Sequence, residues 1–130
     1  MKGPDIAKRL DLSKKEDLSI AVINLINAEE HLAFTAMKTG KEEYLKVLET
    51  VRELRKKLMS KLVRNKEGEM WCISKHLLAA TMRLLESGEK CMMEGSQESG
   101  EFFKDAFDIY SLFWLLQKMG ESNDAKKTGK

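Results

Sequence analysis

The sequence predicts an all-α fold: a single-domain, antiparallel four-helix bundle in up-down-up-down order. Helix breakers are sparse, since the only proline is Pro4 and few glycines fall between Gly3 and Gly120. They separate four long blocks rich in Leu, Ala, Glu, Lys and Met, which are residues of high helix propensity, so each block is expected to form one helix. The connections between the blocks are short, and short connections make successive helices antiparallel neighbours.

The four helices are expected at about residues 13–39, 41–65, 69–93 and 99–119, within one domain over residues 1–120. Ser13 and Glu16 form a capping-box pattern at the first helix, and Gly40 is placed to end it in the left-handed conformation. Gly88 lies well inside the third block and marks a weak point of that helix.

The C-terminal residues 121–130 are polar and lack bulky apolar side chains. Chain ends of this composition are poorly ordered unless something ties them down. They are therefore predicted to form a disordered tail.

Composition indicates a globular protein without a membrane partner. The chain has 130 residues, 42% of them hydrophobic and 34% charged, with a net charge of +2. No apolar run is long enough to span a bilayer, and residues 1–12 lack a signal-like segment, so a cytoplasmic location is expected. Cys72 and Cys91 lie roughly 28 Å apart along one predicted helix, which is too far for a disulfide, so both are expected to be reduced thiols.

The first two predicted helices each carry a charged residue within an apolar stripe. Glu29 lies at the centre of the stripe on the first helix, and Arg55 lies near the centre of the stripe on the second. The two residues are within about one turn of the same level, and an isolated buried charge would cost several kcal/mol, so they are expected to pair. The two stripes are Leu18, Val22, Leu25, Leu32 and Ala36, and Val47, Leu48, Val51, Leu54, Leu58 and Leu62.

Glu29 and Arg55 together form a charged layer. When the last two helices are aligned by their turns in the same way, Ala80 and Trp114 come to the level of this layer. Two small residues, Ala79 and Ala80, would make room there for the indole ring. One interpretation is a structural salt bridge that sets the helix register. The alternative is a ligand site between the helices, which is where bundles commonly bind ligands.

The end of the second predicted helix is strongly basic, and Glu53 is the one acidic residue between positions 52 and 66. A solvated surface is one interpretation, and an anion-binding or nucleic-acid-binding surface is the other. The basic residues are Arg52, Lys56, Lys57, Lys61, Arg64 and Lys66, with Arg55 turned inward.

Cys72 and His76 are spaced so that they could share a metal ion, with Glu30 or His31 as a further ligand. On a helical wheel, however, Cys72, His76 and His31 project away from the apolar faces, so they are not expected to converge. The phosphate-binding, nucleophile-elbow and zinc-protease motifs do not occur in the sequence. No catalytic residue, metal or cofactor is therefore predicted.

The last predicted helix changes character along its length. In its first half, acidic residues face outward and an apolar set faces inward, namely Phe103, Ala106, Phe107 and Tyr110. In its second half the outward side becomes apolar, with Leu112, Leu115 and Met119. A helix that is apolar all round is normally covered on every side, so these three residues predict an interface between two copies of the chain.

The function predicted from these features is a small, non-catalytic interaction module that forms a homodimer, with a protein encoded by a neighbouring gene as a further candidate partner. A nucleic-acid-binding or anion-binding protein is the first alternative. A metal-binding or enzymatic bundle that uses Cys72, His76 and Glu30 is the second.

Overall fold

The computed structural model describes residues 12–64 and 68–128, and the side chains of residues 14–64 and 68–120. Within this part of the chain the fold is all-α, with four helices and no strand, which confirms the predicted class. None of the described helices is both long enough and apolar enough to cross a membrane. The helices are α1 (Leu12–Thr39), α2 (Glu43–Met59), α3 (Glu69–Met93) and α4 (Ser99–Thr128).

The chain divides into two compact units, Met1–Leu62 and Val63–Lys130. In the first unit α1 packs against α2, and in the second α3 packs against α4. Each unit is thus a pair of helices joined by a short turn. The arrangement of all four helices as a single up-down-up-down bundle over residues 1–120 stays a prediction.

A left-handed glycine follows the first helix of each unit. Gly40 has a φ of 71°, and its N–H donates to the carbonyl of Ala36 at 2.8 Å. Gly95 has a φ of 74°, and the N–H groups of Gly95 and Ser96 donate to carbonyls in the last turn of α3 at 3.1 and 2.8 Å. Glycine is favoured at both positions because a Cβ atom is strained at positive φ. The predicted stop at Gly40 is confirmed.

The second helix is shorter than the predicted 41–65, because α2 ends at Met59. The N–H groups of Lys61 and Leu62 each donate to the carbonyl three residues back, at 3.1 and 2.9 Å, which is a tighter turn than an α-helix. The Ser60 hydroxyl also donates to a backbone carbonyl at 2.6 Å, a local bond that competes with helix continuation. Residues 65–67 lie outside the described residues.

The fourth helix is longer than predicted, because α4 continues past Met119 to Thr128. Residues 121–128 are therefore helical, and the prediction of a disordered tail is wrong for them, while residues 129–130 lie outside the described residues. Gly120 does not take the left-handed conformation that would end the helix. Beyond it, Glu, Ala and Lys are good helix formers.

Contacts between α3 and α4 run in opposite order along the two helices, as an antiparallel pair requires. Ser74, near the start of α3, accepts a hydrogen bond from Gln117 in the second half of α4 at 2.8 Å. Gly88, near the end of α3, lies against Phe103 near the start of α4.

Gly88 is not the weak point that the sequence predicted, because α3 passes through it without a break. A Cβ atom at this position would lie 2.6 Å from Cε1 of Phe103, closer than atoms can approach. The absent side chain thus lets the Phe103 ring pack directly on the α3 backbone.

The buried side of α2 is centred on Arg55, and this shifts the predicted stripe. Leu48, Val51 and Leu58 are half-buried, whereas Val47 and Leu54 are 50% and 49% exposed, so their predicted burial is wrong. At about 100° per residue, Val47 and Leu54 lie roughly 80–100° around the helix from Arg55. The predicted stripe on α1 is buried or half-buried throughout.

Candidate interaction surface

The exposed side of α4 carries six residues spaced alternately four and three apart. An α-helix turns about 100° per residue, so this spacing keeps all six on one side of the helix. Each of the six is exposed. This set, the outer stripe, consists of Glu101, Asp105, Asp108, Leu112, Leu115 and Met119.

The C-terminal half of the outer stripe is apolar. Leu112 and Leu115 are each 47% exposed and Met119 is 53% exposed, although a surface helix normally presents polar residues on this side. The opposite side of α4 is apolar too, and there Phe113 and Trp114 are buried. About half of each of the three outer side chains therefore remains in water in the single chain.

The N-terminal half of the outer stripe is acidic, and one of its carboxylates is paired. The Lys104 ammonium donates to Oδ2 of Asp108 at 3.0 Å. This hydrogen bond, together with the negative charges of Asp108 and Asp105, raises the pKa of Lys104 above its usual value.

A depression of about 180 Å³ lies at the start of α4 and is lined by Glu98, Glu101, Phe102 and Asp105. Carboxylates near a helix N-terminus interact favourably with the helix dipole. The clustering of three acidic side chains there thus has a structural explanation.

Several apolar residues are exposed although the sequence pattern did not predict it, and Phe107, Phe34 and Met37 are among them. Phe107, predicted to face inward, is 63% exposed, because it lies about 100° around α4 from the buried Ala106. Phe34 and Met37 near the end of α1 are also largely exposed. Their displacement from the stripe on the helical wheel is the signal that would have identified them.

Glu29 and Arg55 pair directly between α1 and α2. Arg55 Nε donates to Oε2 of Glu29 at 2.7 Å, and Nη2 donates to Oε1 at 3.0 Å. The Glu29 side chain is only 14% exposed and the Arg55 side chain only 3%. A third guanidinium nitrogen, Nη1, lies 3.9 Å from Sδ of Met59. Both carboxylate oxygens thus serve as acceptors in a two-bond, charge-assisted pair within the first unit.

Comparison with protein-family models, curated protein sequences and solved structures gave no match.

Trp114, which was predicted to lie at the level of the charged layer, is buried in the second unit. Its ring packs edge-on against Phe113 and Tyr110, with centroid distances of 4.9 and 6.0 Å. The buried indole Nε1 has no hydrogen-bond partner among the described residues. Ala80 is half-buried in the same unit. The predicted position of Ala80 and Trp114 at the level of Glu29 and Arg55 stays a prediction.

The basic residues do not share one continuous helical face. Arg52, Lys56 and Lys57 are on α2, whereas Lys61 lies in the turn after it. Oε1 of Glu53 lies 3.8 Å from Nζ of Lys56, so a carboxylate lies among the cations. Arg64 belongs to the second unit and Lys66 lies outside the described residues. Anion or nucleic-acid binding by these six residues stays a prediction.

Cys72 and His76 are exposed on α3, as their helical-wheel positions predict, and Glu30 is exposed on α1. Both Cys72 and Cys91 are free thiols. Among the described residues, no three His, Cys, Asp or Glu side chains come together in a group that could hold a metal ion.

Proposed function

We propose that this protein is a non-catalytic interaction module that self-associates through the apolar half of the outer stripe. The observation that carries the proposal is the exposure of Leu112, Leu115 and Met119 on one side of a helix whose other side is already buried. Contiguous exposed apolar side chains usually mark an interface. A twofold dimer is the commonest closed arrangement that covers such a surface.

The apolar half of the outer stripe offers only three residues per copy. Because association costs translational and rotational freedom, this small apolar area needs support from polar contacts at its edge. The dimer is therefore expected to depend on protein concentration.

The non-catalytic part of the proposal has separate support. The thiol and imidazole on which a catalytic alternative depends, Cys72 and His76, both lie in solvent. Catalytic nucleophiles usually act in partly enclosed sites where a base and an orienting group are held in place.

Analytical ultracentrifugation at tens of micromolar tests the proposal. Wild-type protein should sediment as a dimer, and the double variant Leu112→Lys/Leu115→Lys as a monomer. The matched control is Val47→Lys/Leu54→Lys, which places the same charges at apolar positions of α2 with nearly equal exposure. The control should remain dimeric. A monomeric wild type, or a dimer that the α4 variant leaves intact, would overturn the proposal.

A further inference from the structure

The outer stripe has a polarity that restricts how two copies can meet. Its three carboxylates all precede its three apolar residues along the chain. A parallel, in-register pair would bring Asp108 of one copy against the partner's Asp108, and likewise at the other two acidic positions. Like charges placed opposite each other across an interface are unfavourable. An antiparallel pair can overlap the apolar halves while it keeps the acidic halves apart.

We propose that two copies pair antiparallel about a twofold axis between Leu112 and Leu115, with Lys118 of each copy bound to the partner's Asp108. This inference rests on the proposed self-association. In such a pair, Leu112 faces the partner's Leu115. Because the two helices run in opposite directions, moving four residues back from Leu112 corresponds to moving four residues forward from the partner's Leu115. Asp108 therefore comes level with the partner's Met119. Lys118 is one residue away, about 1.5 Å along the helix.

The charges on α4 suit this arrangement. Lys118 is exposed and lies roughly 90° around the helix from the centre of the outer stripe, at the edge of the proposed interface. Its flexible stem can lie along apolar surface while the ammonium reaches a carboxylate. Asp108 already accepts a hydrogen bond from Lys104 through Oδ2. A carboxylate has two oxygens with about four acceptor positions, so it can accept a second cation.

The Asp108–Lys118 contact adds polar support at the edge of the apolar half. The twofold axis generates it twice, once at each edge of the apolar patch. Exposed ion pairs contribute modestly, and reversing one partner replaces attraction with repulsion. Reversing either charge should therefore weaken the dimer roughly tenfold.

Disulfide trapping tests the orientation in a Cys72→Ser/Cys91→Ser background. In that background Asp108→Cys and Met119→Cys are made as separate proteins, which are mixed and oxidised with copper phenanthroline. The antiparallel pair predicts a mixed disulfide between the two variants and little cross-linking of either alone. A parallel pair would instead cross-link each variant to itself.

Charge exchange tests the contact by sedimentation. Lys118→Glu and Asp108→Lys should each raise the dissociation constant roughly tenfold, and the double variant should restore it. Lys90→Glu, which makes the same charge change at an exposed residue of α3, should have little effect. No restoration, or self-cross-linking, in a protein that still dimerises overturns this inference alone. A monomeric cysteine-free background overturns the proposed function and this inference with it.

Discussion

Glu29 of α1 and Arg55 of α2 form a bidentate ion pair at the centre of the face that joins the two helices. Arg55 is the one charged residue that is buried among the described side chains. Removing a guanidinium from water is costly unless its charge and donors are matched, and here a carboxylate faces it with both oxygens. The pair also specifies the level at which α1 and α2 meet, because any slip between them would leave a buried charge unmatched.

Glu29→Ala should lower the free energy of unfolding by about 3 kcal/mol, because it leaves Arg55 buried without a partner. Urea denaturation followed by circular dichroism measures this difference. The matched control is Glu30→Ala, which removes the exposed neighbouring carboxylate and should change stability by less than about 0.5 kcal/mol. Equal effects of the two substitutions would contradict the assigned role of the pair.

Glu29→Met/Arg55→Met should recover most of the stability that Glu29→Ala loses. Apolar residues of similar volume avoid the cost of burying charge and often replace a buried pair without net loss. The double variant should therefore be more stable than Glu29→Ala in the same denaturation experiment. A double variant less stable than the single one would mean that the pair contributes more than charge compensation.

Gly88→Ala should destabilise the second unit by about 1–2 kcal/mol, although alanine favours helices by about 1 kcal/mol over glycine. The new methyl group would meet the Phe103 ring at a distance that forces the ring to move. Gly100→Ala is the control, since an added Cβ there meets no atom within 4 Å. Thermal denaturation compares them, and Phe103→Leu should relieve the effect of Gly88→Ala. A Gly88→Ala protein as stable as the wild type would argue against close packing at this point.

Gln117→Met should cost about 1–2 kcal/mol, because the fully buried Ser74 hydroxyl loses its side-chain donor. Ser74→Ala should cost less, since the Gln117 amide still donates to the carbonyl of Phe113 at 3.2 Å. The double variant should be close to Ser74→Ala alone. Urea denaturation of the four proteins gives the coupling between the two residues, and a coupling of zero would contradict this account.

Cys72 should react with a thiol reagent faster than Cys91 in the native protein, because Cys72 is exposed and Cys91 is half-buried. After denaturation without a reductant, both should be modified completely, as neither is in a disulfide. Mass spectrometry of timed samples measures the two rates, and Cys72→Ser should retain only the slower one. A fraction of chains that needs reduction before labelling would instead reveal a disulfide between chains.

The sequence by itself determined the features that depend on local backbone conformation and helical period. These include the all-α class, the stop at Gly40, the starts of α3 and α4, and the pairing of Glu29 with Arg55. A positive φ is a property of a single residue, and a charge at the centre of an apolar stripe needs a partner wherever the stripe is buried. The exposure of Leu112, Leu115 and Met119 was predictable for a similar reason. Their spacing places them on the side of α4 opposite another apolar face, and both faces cannot pack against the same neighbouring helix.

Only the tertiary structure decided which apolar residues are covered and where α2 and α4 end. Val47, Leu54 and Phe107 carry apolar side chains at helical spacing, yet they stay exposed because burial depends on the direction from which a neighbouring helix approaches. Gly88 and Gly120 look alike as helix breakers in the sequence, but both remain helical. A glycine ends a helix only when it adopts the left-handed conformation, and in Gly88 the missing side chain serves the contact with Phe103 instead.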